Sequence, residues 1–353
     1  MQVAGLVAVL LLGLQFYRLS LFATGNHVEP GNYQLAFSKW KISTGNDIYV
    51  LDVEQEAVTQ MTMNHKVSFM RWSPDGQAML LRRSGRPVTF DLLDVKTGKA
   101  KQIDEDQEDQ FVTPGLNGWS VDGQHRAVAE QQDGDADREI YIVEADGARR
   151  RLVQNPGADG GPAWSPDNRQ LAFWTRHEKG WGLSIINADG TNLTPIFQTP
   201  TSSPPIDLAW SPDGSRLAFT GPTYDQWGGI TQAHFFIIDT DGQNLVELGE
   251  INWRNGPTQW SPDGQTVAFD TYGAMCLYSL ADDLPDDRRL FCNSSAQMPA
   301  WSPDGRYLAY VQSFQQSQPG YLCVKSTDHL EEHCFKDETA GASYPKWRPT
   351  NQN

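Results

Sequence analysis

An all-β propeller of seven four-stranded blades is predicted by three features of this 353-residue sequence. Trp72, Trp119, Trp164, Trp210, Trp260, Trp301 and Trp347 recur at intervals of 41 to 50 residues. Six of these seven open the string Trp-Ser-Pro-Asp-Gly or a close variant of it, as in Trp210-Ser211-Pro212-Asp213-Gly214. Between the strings run short apolar stretches bounded by Gly, Pro and Asp, with no sustained 3.6-residue apolar period after residue 30. A repeat of this length built from strand-like runs marks a propeller blade, and the missing helical period makes helices scarce.

Each element of the unit has a local reason. One strand ends at the Trp, a second covers Leu217–Phe219, a third Phe235–Asp239 and a fourth Leu245–Leu248. In the Ser-Pro-Asp-Gly turn, Pro presets a negative φ at the second position, Asp suits the third, and Gly takes the left-handed conformation of a hairpin bulge. Asn168 stands in the Gly slot of one copy, and Asn is the residue best able to replace Gly there. Val121 stands in the Pro slot of another. The Trp fills the space between adjacent blades, where such a ring buries ~150–250 Å².

The last copy, Trp347-Arg348-Pro349-Thr350-Asn351, ends two residues before the end of the sequence, with Asn351 in the Gly slot. Its missing second strand reappears near the other end as Tyr33–Phe37, followed by Asp47–Asp52 and Ala57–Met61. Residues 30–353 are therefore expected to form one ring, its shared blade taking the innermost strand from the C-terminus and three strands from the N-terminus. Closure of that kind removes exposed sheet edges.

The repeated strings resemble those of the TolB-type propellers, a WD-repeat-like family common in bacterial exported proteins. The resemblance spans nearly everything from about residue 30 onward. It implies the propeller fold and an extracytoplasmic setting. TolB-type proteins with six blades and a separate N-terminal domain differ from the seven-blade count here, so their envelope role is not carried over.

Residues 1–24 hold an apolar run from Val3 to Tyr17, expected to act as a signal peptide or an uncleaved membrane anchor. Cys276 and Cys292, and likewise Cys323 and Cys334, lie nearly symmetrically about the third-to-fourth-strand hairpins of two adjacent units. Each pair is expected to bridge its hairpin, which points to an oxidising compartment. The net charge of −16 argues against nucleic acid or anionic lipid as a partner, leaving the membrane only the N-terminal segment.

Catalytic motifs are scarce. There is no Gly-x-Ser-x-Gly elbow and no phosphate-cradling glycine loop. His329-Leu330-Glu331-Glu332-His333 matches a zinc pattern that needs a helix, but the repeat puts His329 in a turn and His333 in a strand. Four residues along a strand separate the two rings by ~13 Å, too far for one zinc. Asp133–Glu139 opens like a calcium loop, yet Arg138 occupies the position that requires Gly, so a solvated acidic loop is expected. The run Asp104 to Asp109 reads as a solvated surface. His65, His125, His177 and His234 fall in different units. Neither a metal nor another cofactor is expected.

Five tryptophans stand outside the repeat: Trp40, Trp174, Trp181, Trp227 and Trp253. Trp40, Trp181 and Trp227 fall in second-to-third-strand loops, as do Tyr224 and Phe314, while Trp253 enters an innermost strand. Trp40, Trp181, Tyr224, Trp227, Trp253 and Phe314 form the candidate ligand-binding set, because rigid aromatic side chains on one loop-rich face suit a protein segment or a glycan. A non-catalytic exported binding or scaffolding module is the expected function. A metal-assisted polysaccharide-degrading enzyme is the alternative.

Overall fold

A computed structural model describes residues 33–349 apart from 42–44, 64–66, 74, 84–88, 104–117, 119, 123, 133, 135–136, 145–146, 155, 200–204, 225–229, 252–257, 272–273, 282–288, 314–319 and 329–330. Among the described residues every regular element is a β-strand, and the strands form seven antiparallel sheets. Six sheets have four strands and the third has three. The lead strand expected to end at Trp119 lies largely outside the described residues, as do the apolar segment 1–24, the acidic run 104–109 and Asn351.

The fifth sheet is representative. Its strands Ile206–Trp210, Arg216–Tyr224, Ile230–Asp239 and Val246–Ile251 lie in chain order, each antiparallel to the next. The turn between the first two works as its residue types dictate. Ser211 N–H donates to Arg216 O at 2.9 Å, Gly214 N–H donates to Ser211 O at 2.9 Å, and Gly214 has φ 73°. The serine contributes a bond not foreseen from sequence: its Oγ–H donates to Asp213 Oδ1 at 2.6 Å and its Oγ accepts Arg216 N–H at 2.9 Å. The same Ser–Asp bond recurs at Ser73–Asp75, Ser120–Asp122 and Ser165–Asp167. It holds the Asp122 and Asp167 carboxyls below the usual range.

Among the described motif tryptophans, Trp72, Trp164, Trp260 and Trp347 are buried and Trp210 and Trp301 are partly buried, and most of them do more than fill space. In five of them the indole N–H donates to the carbonyl of the residue just before the motif Trp of the preceding sheet. Trp164 reaches Gly118 O at 2.8 Å, Trp210 reaches Ala163 O at 3.0 Å, Trp260 reaches Ala209 O at 3.2 Å, and Trp347 reaches Ala300 O at 2.8 Å. Trp72 reaches Lys346 O at 3.0 Å, linking the second sheet to the last described strand, Ala342–Trp347. Strands ending at the motif Trp also touch one another in sequence from the fourth sheet through the seventh to Ala342–Trp347. Trp301 is the exception, its buried indole N–H having no hydrogen-bond partner.

The first sheet joins both ends of the described chain. Its order is Ala342–Trp347, Gln34–Lys41, Gly45–Asp52, Ala57–Gln60, with Leu35 opposite Trp347 and Ala36 opposite Lys346. Arg348 fastens the turn beyond it: its guanidinium donates to Gly76 O at 2.7 Å and Gln34 Oε1 at 2.6 Å, and lies over the Trp72 ring.

Candidate functional site

In the first, fourth and seventh sheets the lead strand carries a bulge three residues before the motif Trp. The register slips there in several sheets, and Gly161, Met298 and Tyr344 occupy that place with φ near 59°, 58° and 52°. Non-glycine residues rarely adopt this conformation without support from their surroundings. Tyr344 N–H faces Met298 Sδ at 3.3 Å, and Tyr344 is 57% exposed. Trp40 lies at the same end of the same sheet, 59% exposed, its N–H donating to Gly341 O at 3.1 Å. An exposed Trp and an exposed Tyr thus share one rim of the first sheet.

The other aromatic candidates divide. Trp40, Trp181 and Tyr224 belong to strands rather than loops, because the second and third strands of their sheets extend further toward the hairpin than the apolar runs indicated. Trp181 is half-buried against the cluster of Trp174, Leu183 and Phe219, so its ring is partly committed to packing. Trp174 is 1% exposed and belongs to the core. Tyr224 is paired with Ile230 at the end of its strand. Trp227, Trp253 and Phe314 lie outside the described residues. Trp40 and Trp181 sit on the first and fourth sheets and are not brought together. Tyr344 was not singled out from sequence; its only signal is its place three residues before the motif Trp, and its exposure depends on the bulge.

The seam between the sixth and seventh sheets is built differently from the rest. Here Trp301 makes no bond to Gln259 O; instead Gln259 Nε2 donates to Pro299 O at 2.9 Å. Met298 N–H donates to both carboxylate oxygens of Asp270 at 3.0 Å, which secures the strained bulge residue. Burial raises the Asp270 pKa to about 6, and the Met298 N–H offsets only part of that. Because the folded value lies above the unfolded one, the associated stability is complete in acid and is lost as pH rises through 6. Asp270→Asn keeps an acceptor for Met298 and removes the charge. It is expected to be more stable than the parent at pH 8 by up to about 3 kcal/mol, with the gap closing at pH 4. Urea midpoints at the two pH values measure this, and parallel pH profiles for the two proteins would refute it.

Among the described residues, the histidines lie on separate sheets. His125 Nδ1 lies 2.6 Å from Glu144 Oε2, His234 Nδ1 lies 2.7 Å from Glu247 Oε1, and His177 ends a strand of the fourth sheet. His65 and His329 lie outside the described residues. His333 is on the strand Glu332–Phe335, its ring 4.5 Å from that of Phe335, beside a cleft of about 780 Å³ that Tyr307 and Glu56 also line. Glu139 corrects one expectation: it opens a strand and is 5% exposed, so the acidic stretch at 133–139 ends in the core rather than in solvent. Burial raises its pKa, and its Oε2 has no hydrogen-bond partner. Among the described residues no three His, Cys, Asp or Glu side chains come together in a metal-binding group.

Cys276 is bonded to Cys292 and Cys323 to Cys334, each pair directly opposed across its two strands. Two disulfides point to an oxidising, extracytoplasmic compartment. The family model described as the TolB beta propeller domain matches residues 23–199, half of the chain. The chain belongs to the TolB beta propeller domain family. Among curated relatives of this TolB-type propeller is an uncharacterized protein, Atu1656, of Agrobacterium fabrum, 28% identical over 44% of this chain and 54% of its own length. The protein TolB homolog of Chlorobium chlorochromatii is 28% identical over 43% of this chain and 33% of its own length. The aligned part thus spans about half or less of either relative.

Solved structures share the fold at low identity. Dihydro-heme d1 dehydrogenase NirN aligns with a TM-score of 0.56 at 17% identity, over 94% of this chain and 78% of that one. An oligogalacturonate lyase in complex with manganese aligns at 0.51 and 16% identity, over 84% and 87%. The periplasmic gluconolactonase PpgL of Pseudomonas aeruginosa aligns at 0.51 and 17% identity, over 90% and 99%. Identities this low speak to the fold alone.

Proposed function

We propose that this TolB-type chain is a non-catalytic exported propeller that docks a protein segment or a glycan on the rim holding Trp40 and Tyr344. Seven blades closed head to tail supply the scaffold; Leu35 opposite Trp347 and the Trp72 bond to Lys346 O support that reading. Residues 1–24 direct export as a leader or an anchor. The observation that carries the binding role is the exposed pair itself: a Trp at 59% and a Tyr at 57% on one sheet end. Trp and Tyr are the side chains most often found at binding hot spots.

The test uses a tagged full-length protein recovered from its native envelope under non-reducing conditions. A Trp40→Ala/Tyr344→Ala variant is expected to fold as the parent does, within about 0.5 kcal/mol, because both side chains are exposed. Its affinity for the partner recovered with the parent, titrated in purified form, should fall at least ~10-fold. Equal affinity would remove the rim from consideration. Stoichiometric manganese, calcium or zinc in the purified protein would favour a metal-assisted polysaccharide enzyme instead.

A further inference from the structure

We propose that a cleft at the seam of the first and seventh sheets receives a basic side chain, lysine or arginine, from a segment of a partner protein. The cleft holds about 780 Å³, within the ~300–1,000 Å³ range of ligand pockets. Its walls come from both ends of the described chain. Val53 and Glu56 lie in the turn between Gly45–Asp52 and Ala57–Gln60 of the first sheet. Tyr307 opens the second strand of the seventh sheet, and Val324, His333 and Phe335 lie on its two outer strands. The floor is apolar. Val324 and Phe335 are buried in the hydrophobic cluster that joins the two sheets, and Val53 and Tyr307 pack against it.

Above that floor the rim is acidic. Glu56 stands on the first-sheet side, and Asp328, Glu331 and Glu332 on the seventh. The one guanidinium among the described lining residues, that of Arg306, is engaged elsewhere: its Nη1 donates to the Tyr33 hydroxyl at 3.4 Å, and its Nε lies 3.7 Å from Asp304 Oδ2. His333 Nδ1 lies 3.7 Å from Glu56 Oε1. An apolar floor under an acidic rim is complementary to one kind of side chain, a cation on an aliphatic stem. The stem covers the floor while the ammonium or guanidinium reaches the carboxylates. Like charges beside a low-dielectric wall also concentrate their field and draw in the opposite charge. The net charge of −16 favours the same kind of partner. Tyr33, whose carbonyl accepts the Val53 N–H at 3.0 Å, precedes the strand Gln34–Lys41, and Trp40 lies at the other end of that strand. The cleft is therefore separate from the aromatic rim and would stand if Trp40 and Tyr344 bound nothing.

Isothermal calorimetry on the full-length protein tests this with two probes, each acetylated and amidated at its ends: tri-lysine, and tri-norleucine, which keeps the stem and lacks the charge. Saturable binding of tri-lysine is expected at millimolar concentration or below, and none of tri-norleucine. Glu56→Gln/Glu331→Gln is expected to weaken tri-lysine binding at least ~10-fold. Both positions are exposed, so the fold should be retained; each single change, expected to cost about 3-fold, serves if the double variant fails to fold. Glu178→Gln/Asp241→Asn removes the same charge from hairpins of the fourth and fifth sheets and should bind as the parent does. The proposal is overturned if the parent does not bind tri-lysine saturably or if the cleft variants bind it as well as the parent. An equal loss in the control variant would overturn it too, since only the overall charge would then matter, and so would equal binding of tri-norleucine.

Discussion

Trp347→Ala is expected to cost about 3–5 kcal/mol, the range for removing a large aromatic side chain from a core. The ring is 8% exposed, its indole N–H donates to Ala300 O at 2.8 Å, and it packs edge-on to Tyr33 and stacked on Tyr307. Those contacts join three chain regions: the final strand, the N-terminal segment and the seventh sheet. Truncation thus leaves a cavity where a strand from one end of the chain meets a strand from the other, and the gap is hard to fill by local relaxation. Trp347→Phe separates the two contributions, keeping most of the ring and losing the bond, for about 1 kcal/mol from the hydrogen bond. Urea unfolding measures both losses. Amide exchange locates them, with protection expected to fall first along Gln34–Lys41 and Ala342–Trp347. A loss under 1 kcal/mol for Trp347→Ala, or unchanged exchange at Leu35 to Phe37, would mean that the joint between the chain ends contributes little to stability.

Much of this architecture could be read from the chain because each motif residue has one narrow job. The Trp spacing marks the sheets since the ring must bridge to the sheet before it. The Gly slot marks the turn since the backbone there is left-handed, and Asn168 occupies it at φ 61°. The pairing of two departures from the motif could not be read. Elsewhere the Pro of one turn packs beneath the Gly of the next, as Pro166 does beneath Gly214 and Pro212 beneath Gly264. Val121 has the N–H that Pro lacks, and it donates to Oδ1 of Asn168, the residue in the next turn's Gly slot, at 2.6 Å. Two apparent lapses, 47 residues apart, thus compensate each other across a seam. They are coupled, so replacing either alone by the motif residue is a two-body change.

The candidate site was less legible for a related reason. Whether a Trp near a hairpin packs or projects depends on how far the strand runs and what lies on the neighbouring sheet. Trp181 finds a hydrophobic cluster and is half-buried, whereas Trp40 finds none and projects. Tyr344 is turned outward by a backbone bulge whose occupants elsewhere are Gly161 and Met298, residues with nothing in common in composition.

Removing both disulfides is expected to produce the largest loss of all, about 6 kcal/mol if the two act independently, with about 3 kcal/mol from each in the chain-entropy treatment. The bridges span 16 and 11 residues and close hairpins in consecutive sheets. Those sheets flank the seam that lacks a Trp301 bond and relies on Asp270 and Gln259. Cross-links stiffen the outer strands of both sheets, while the inner strands meet through fewer indole contacts. Measured against a typical total of 5–15 kcal/mol, a deficit of this size brings the folded state close to its limit. The prediction compares Cys276→Ala/Cys292→Ala, Cys323→Ala/Cys334→Ala and the quadruple variant by urea unfolding, each against the oxidised parent. Losses that add would mean the two hairpins contribute separately. A quadruple loss well above the sum would mean they brace a common seam, and midpoints equal to the parent's in all three would show that the bridges add nothing to stability.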